Sequence, residues 1–268
     1  MSREVIVVVG VGGMGGAIAR RQGAGRQLLL SDLDQETLEE VAATLGDEGF
    51  DVATAVVDVS SRASVAELAA TALALGPVTQ LVHTAGLSPV QAATEAILRV
   101  DLLGVALVLD EFGQLMADGG AGVVIASGAA YGPSLTSEDE RLLAVTAADV
   151  LLRLPLLRDI PDPGVAYGIA KRGNLLRVQA ASLQWSRRGA RVNSISPGVI
   201  ATPMSRQELD GPYGDYVRSS IAASPAKRIG TPTDIADAAA FLLGPSASFI
   251  TGTDLLVDGG SFGAGRVS

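Results

Sequence analysis

Tyr167 and Lys171 stand four positions apart in the stretch GVAYGIAKRGN, in a chain of 268 residues with one histidine, His83, and no cysteine. On a helix that spacing puts both side chains on one face, about one turn apart. A phenol ionises near pH 10, too high for a base at neutral pH, and a neighbouring ammonium moves it toward the working range. The pair therefore offers acid–base chemistry without an imidazole or a thiol. The chain contains only two lysines, Lys171 and Lys227, and four tyrosines, so such a pairing is not cheaply come by. Its bland alternative is a surface pair on a helix. With a lone histidine and no thiolate, no metal site is expected.

A second cluster lies near the start. Gly10-Val11-Gly12-Gly13-Met14-Gly15 satisfies G-x-G-x-x-G between the apolar run VIVVV and the helical pattern GAIARRQ. Glycines let the backbone turn tightly and approach a pyrophosphate, while the following helix presents free N–H groups and the positive end of its dipole. Asp32 ends the next apolar run, 20 residues beyond Gly12, and Leu33 rather than a basic residue follows it. A carboxylate there accepts hydrogen bonds from the adenosine ribose and repels a 2′-phosphate, so NAD is the expected cofactor rather than NADP. The alternative for Asp32 is a helix cap within SDLDQETL.

These residues need a scaffold, and the sequence supplies its period. EVIVVVG, RQLLLSD, DVATAVVDV, QLVHTAG, GVVIASG, ARVNSISPG and DLLVDGG read as strands, with segments of helical pattern between most of them. Continuous apolar runs predict strands covered on both faces, hence an α/β, Rossmann-type, doubly wound parallel sheet of about seven strands in a single domain, residues 1–268. Ligands bind such sheets beyond the carboxyl ends of the strands, where the candidate residues fall. The net charge of −9 argues against a nucleic-acid partner. Residues 5–19 are apolar like a leader peptide, yet five glycines and a 15-residue length make them too short and too helix-averse to cross a membrane. A cytoplasmic protein with no membrane partner is expected.

The chain as a whole resembles the short-chain dehydrogenase/reductase family in its compact form. The resemblance rests on the glycine turn, Asp32, VDVS with Asp58, HTAG at 83–86, Ser127, Tyr167 with Lys171, RVNSISPGVIATPM at 191–204 and GTDLLVDGG at 252–260. It implies an NAD-dependent oxidoreductase that interconverts a secondary alcohol and a ketone. Tyr167 would be the acid/base, Ser127 would hold the substrate oxygen, and Lys171 would lower the tyrosine's pKa and bind the nicotinamide ribose. The resemblance further implies cofactor contacts at Asp58, Val59, Ala85, Gly86, Pro197, Gly198, Ile200 and Thr202, beside Gly10, Gly12, Gly13, Met14, Gly15, Asp32 and Leu33. A homo-oligomer, dimer or tetramer, is expected through helices around 94–117 and 165–188.

Several positions depart from the family pattern. The glycine turn is one residue shorter than T-G-x-x-x-G-x-G and begins with Val9. His83 and Thr84 replace the asparagines of N-N-A-G; a histidine there reads as a hydrogen-bonded loop stabiliser. Asp101, in LRVDLLG, takes the place of the helix asparagine that holds a relay water, and it is counted with the catalytic candidates although it brings charge near Lys171. Residues 134–163 form an insertion between Ser127 and Tyr167, as in the hydroxysteroid dehydrogenase/carbonyl reductase branch. The insertion reads as helix, with Ser137 and Glu140 as a capping box and Pro155 interrupting, and could cover the pocket, contact a subunit or shield the sheet. The expected substrate is a hydrophobic, steroid-like or cyclic alcohol framed by Leu87 to Val90, the insertion, and the loop from Thr202 to about Ile229 with Tyr213 and Tyr216. A 3-oxoacyl thioester reductase and a non-catalytic NAD-binding sensor or assembly subunit stay open as alternatives.

Overall fold

The computed structural model describes residues 3–211 and 214–267; Tyr213 lies outside them. Seven strands form at the expected apolar runs: β1 (Val5–Val9), β2 (Gln27–Asp32), β3 (Asp51–Val56), β4 (Val78–His83), β5 (Ala121–Ile125), β6 (Arg191–Pro197) and β7 (Asp254–Val257). They pair in parallel in the order β3-β2-β1-β4-β5-β6-β7. The order reverses between β1 and β4, so a crevice opens where Val9 pairs with Ser31 on one side and His83 on the other. Residues 5–19, apolar enough to suggest a leader, supply β1 and most of the first turns of α1.

The helices are α1 (Gly13–Gln22), α2 (Gln35–Asp47), α3 (Arg62–Leu75), α4 (Thr94–Ile97), α5 (Val105–Phe112), α6 (Ser137–Val145), α7 (Ala148–Leu151), α8 (Pro163–Trp185), α9 (Pro203–Asp210), α10 (Gly214–Ala223), α11 (Pro232–Leu243) and α12 (Ser261–Val267). On one face of the sheet Ile18 of α1, Leu38 and Leu45 of α2 and Ile235 and Leu242 of α11 bury the alternate side chains Ile6, Val8, Leu28 and Leu30. On the other, α3, α5 and α8 cover Val5, Val7, Val9 and Leu29. The middle strands β1 and β5 are buried throughout. Coverage on both faces fails at the edges: β3 alternates exposed with half-buried residues and β7 is half-buried along its length.

The insertion departs from its expected form. Its capping box is Thr136 with Asp139, one residue before the expected pair of Ser137 and Glu140, and α6 ends at Thr146, well short of Pro155. Leu143, Leu151, Leu154 and Leu157 turn inward and join the core that holds Ile169 and Leu176 of α8. Arg177, buried on α8, donates to the carbonyls of Leu143 at 2.8 Å and Thr146 at 3.0 Å, satisfying the open end of α6. Arg172 on α8 pairs with Glu140, its Nε 2.9 Å away. The insertion is thus a layer on the outer side of α8.

Candidate active site

Gly10 ends β1 with φ +90°, a conformation that favours glycine. A Cβ on Gly15 would lie 1.9 Å from the Gly10 carbonyl oxygen, which is how close α1 comes to the strand it follows; a Cβ on Gly12 would meet nothing within 4 Å. The turn is therefore tight against the sheet on one side and open on the other, and α1 starts from it at Gly13 with Gly12 as N-cap. Met14 packs toward the core beneath it. The shorter turn still forms the general dinucleotide geometry.

Asp32 closes the crevice at the end of β2. Its Oδ2 accepts from the Val11 N–H at 2.9 Å and its Oδ1 from the Asp34 N–H at 3.2 Å. The cap of α2 is Asp34, which accepts from the Thr37 N–H at 2.7 Å, so Asp32 is released from that alternative. Leu33 beside it is 65% exposed, and the nearest arginine along α1, Arg20, is committed to Glu48 at 2.6 Å. Asp58 tightens the next turn by accepting from Ser60 at 2.9 and 2.8 Å, while Val59 turns inward against Gly104.

The floor of the crevice runs from the glycine turn to the acid–base pair. The Thr84 hydroxyl donates to the Gly10 carbonyl at 2.6 Å, and the Ala85 N–H to Val9 at 3.0 Å. A Cβ on Gly86 would stand 3.1 Å from both Lys171 Nζ and Asp101 Oδ2. Lys171 Nζ lies 5.3 Å from the centre of the Tyr167 ring, on the same face of α8. Ser127, extended at the end of β5, caps a short helical turn by accepting from the Ala129 N–H, and its hydroxyl lies against the Tyr167 phenol. Beyond β6, Pro197 and Gly198 pass within close reach of Asp258, Ile200 bridges to Gly230, and Thr202 caps α9 in a box with Ser205. A Cβ on Gly13 would sit 3.0 Å from Thr202, so this loop meets the glycine turn across the crevice. Gln207 of α9 accepts from Gln91 at 3.0 Å, tying α9 to the segment carrying Leu87 and Val90. A separate cavity of about 220 Å³, behind Ile200 and bounded by Ile221, Arg228 and Asp258, is lined by none of Ser127, Tyr167 and Lys171.

The electrostatics correct one expectation. Burial pushes the Tyr167 phenol above its ordinary value; Lys171 pulls it down, but Asp101 and, more weakly, Glu208 push it up again. The net direction is upward, because burial outweighs the downward pull that Lys171 exerts. Asp101 is wholly buried, on a π-helical stretch, Leu98–Gly104, between α4 and α5. Its Oδ1 accepts from the Leu87 N–H at 2.8 Å and its Oδ2 lies 3.0 Å from Lys171 Nζ. Oδ1 is held by the backbone, while Oδ2 faces the ammonium as an ion pair. Burial raises the Asp101 carboxyl against the pull of Lys171; burial pulls Lys171 down, but Asp101 and Tyr167 together carry it upward. His83 is 1% exposed and pulled down to about 3, first by burial and then by Lys171. It is a neutral core residue, and its weak contact with the Val9 backbone opposes the downward shift without reversing it. Sequence reasoning passed over Glu208, half-buried on α9 and pushed upward by that burial; a lone carboxylate there belongs to no motif and carries no spacing signal.

Residues 4–136 match the family described as short chain dehydrogenase, and residues 156–261 match that described as enoyl-(acyl carrier protein) reductase. Most of the insertion falls between the two matches. The chain is 45% identical to the short-chain dehydrogenase/reductase bsc3 of Alternaria brassicicola, over 97% of this chain and 96% of that one. It is 32% identical to the D-threitol dehydrogenase of Mycolicibacterium smegmatis, over 96% and 92%. Among solved structures it resembles a short-chain dehydrogenase/reductase of Brucella melitensis described as a glucose/ribitol dehydrogenase, with TM-score 0.77, 28% identity, and 97% and 99% coverage.

Proposed function

The chain belongs to the short-chain dehydrogenase/reductase family, and from that premise we propose that it is an NAD-dependent oxidoreductase interconverting a secondary alcohol and its ketone. The observation that carries this reading is one continuous run of contacts, Gly10–Ala85–Gly86–Lys171–Tyr167–Ser127, from the open glycine turn to the acid–base pair. The turn fits a pyrophosphate because its outer side is clear and its backbone N–H groups head α1. Asp32 fits an unphosphorylated ribose, Leu33 follows it, and Arg20 of α1 is committed to Glu48 rather than free for a 2′-phosphate, which favours NAD over NADP and weighs against the thioester reductase. Bound NAD would supply the hydride acceptor or donor. Tyr167 transfers the proton at the substrate oxygen, Ser127 steadies that oxygen, and Lys171 is in place for the ribose beyond Gly86. The substrate we propose is a hydrophobic, cyclic secondary alcohol or its ketone, a class suited to the apolar Leu87 and Val90 beside α9. The presence of Ser127, Tyr167 and Lys171 together weighs against the alternative without turnover, which rests on Asp101 and the insertion.

Calorimetric titration with NADH and NADPH, followed by a panel of cyclic alcohols, polyols and ketones, tests the reading. Tighter NADH binding with turnover is the expected result, and Asp32→Ala should erode the preference for NADH. Tighter NADPH binding, or an unchanged preference in the variant, would remove Asp32 from its assigned contact.

A further inference from the structure

The family's acid–base pair works by leaving an ammonium next to a phenol, and here that ammonium has a private counterion. Asp101 is fully buried, Lys171 is 4% exposed, and their charged atoms are 3.0 Å apart. Nothing about the contact is incidental. The π-helical stretch brings Asp101 inward, the Leu87 N–H fixes its other oxygen at 2.8 Å, and Gly86 leaves just enough room for the pair to meet. A buried charge without a partner is strongly destabilising, so a pair so enclosed keeps both charges or neither.

We propose that Asp101 is a positioning residue that partly offsets the charge of Lys171, keeping Tyr167 a proton donor at physiological pH and favouring ketone reduction over alcohol oxidation there. This deepens the proposed reaction and rests on it only for its direction. In reduction the incoming hydride forms the new C–H bond, the carbonyl π electrons move to oxygen, and Tyr167 O–H gives that oxygen its proton. The phenolate left behind recovers a proton from solvent. Oxidation needs the phenolate at the start, and burial, with the lysine's pull partly offset by Asp101, makes that form scarce below alkaline pH. The charged and titratable groups facing Tyr167 are Lys171 on its own helix, Asp101 on the π-helical stretch and Glu208 on α9; Lys171 additionally faces His83 on β4. His83 is uncharged at these pH values and Glu208 adds negative charge, so neither restores the cation's influence.

The test is ultraviolet titration of tyrosinate in the cofactor-free protein, with Tyr167→Phe subtracted to isolate one phenol. In Asp101→Asn the Tyr167 midpoint should fall by about one pH unit, a tenfold change in its ionisation constant, while Asp101→Glu should hold it in place. A fall of half a unit or more in Asp101→Asn supports the proposal; a smaller fall, or a rise, overturns it. A purely structural aspartate would lower activity at every pH without moving the midpoint. Should Asp101→Asn fail to fold, the unmodified protein answers by carbon-13 resonance of its lysines, only two of which exist. Lys171 should keep its proton above the ordinary lysine value of about 10.4; loss at or below it overturns the proposal. Both readouts are made without cofactor or substrate, so a protein that turned over no alcohol would fail the functional reading and leave this result standing.

Discussion

Tyr167 and His83 sit on neighbouring elements and answer to burial in opposite ways. Desolvation disfavours the charged form of each, so the phenol is pushed up and the imidazole down. For Tyr167 the consequence is catalytic. Tyr167→Phe should lower turnover by about 10²–10⁴-fold, the usual worth of a positioned acid, while NADH binding by calorimetry stays unchanged. For His83 the consequence is stability. The unfolded chain's histidine titrates near 6.5 and the folded one at about 3, so between those values the unfolded state holds the extra proton and stability falls as pH falls. The slope reaches at most about 1.4 kcal/mol per pH unit. His83→Asn, with nothing to titrate, should lose stability less steeply from pH 6.5 to 4 in chemical denaturation, and parallel curves would remove His83 from the acid response.

Helix α8 links most of the elements that matter. It carries Tyr167 and Lys171 on its inner face, and its outer face would be a liability without the insertion, because Ile169 and Leu176 lie under Leu143 and Leu151. Its start is set by Asp162, which accepts from the Val165 N–H at 3.0 Å, and by Pro163 in the first turn. Arg177 fastens α6 to this helix through the carbonyls of Leu143 and Thr146 at its open C-terminal end. Arg177→Met keeps the stem and removes the donors. It should cost about 2–3 kcal/mol for the buried acceptors left unpaired, measured by denaturant unfolding, with KM for the substrate altered less than the stability. A variant as stable as the parent would make the insertion an ornament on α8.

Over the whole molecule, the surface bears on assembly. A homo-oligomer formed through α8, as the sequence leads one to expect, would have to accommodate the insertion, part of which packs on that helix. Among the described residues large apolar side chains are exposed in several places, Leu183 on α8 and Leu73 on α3 among them; near the free edge of β7, Phe249 is fully exposed and Phe241 nearly half so. A second copy would cover both phenylalanines and continue the sheet. Phe249→Asp should lower the mass seen by light scattering, and an unchanged mass would place any interface elsewhere. Among the described residues no helix is long and apolar enough to cross a membrane. The sequence by itself determined the sheet, the glycine turn and the Tyr167–Lys171 spacing, because apolar period, glycine and an i, i+4 interval are local properties written in consecutive residues. Asp34 as the cap of α2, the early end of α6 and the lean of the insertion on α8 depended on which side chains met across tens of residues. So did the charge on the catalytic pair: Asp101 and Lys171 are 70 positions apart in sequence and 3.0 Å apart in the fold, and only the packing of the π-helical stretch against α8 decides that they meet.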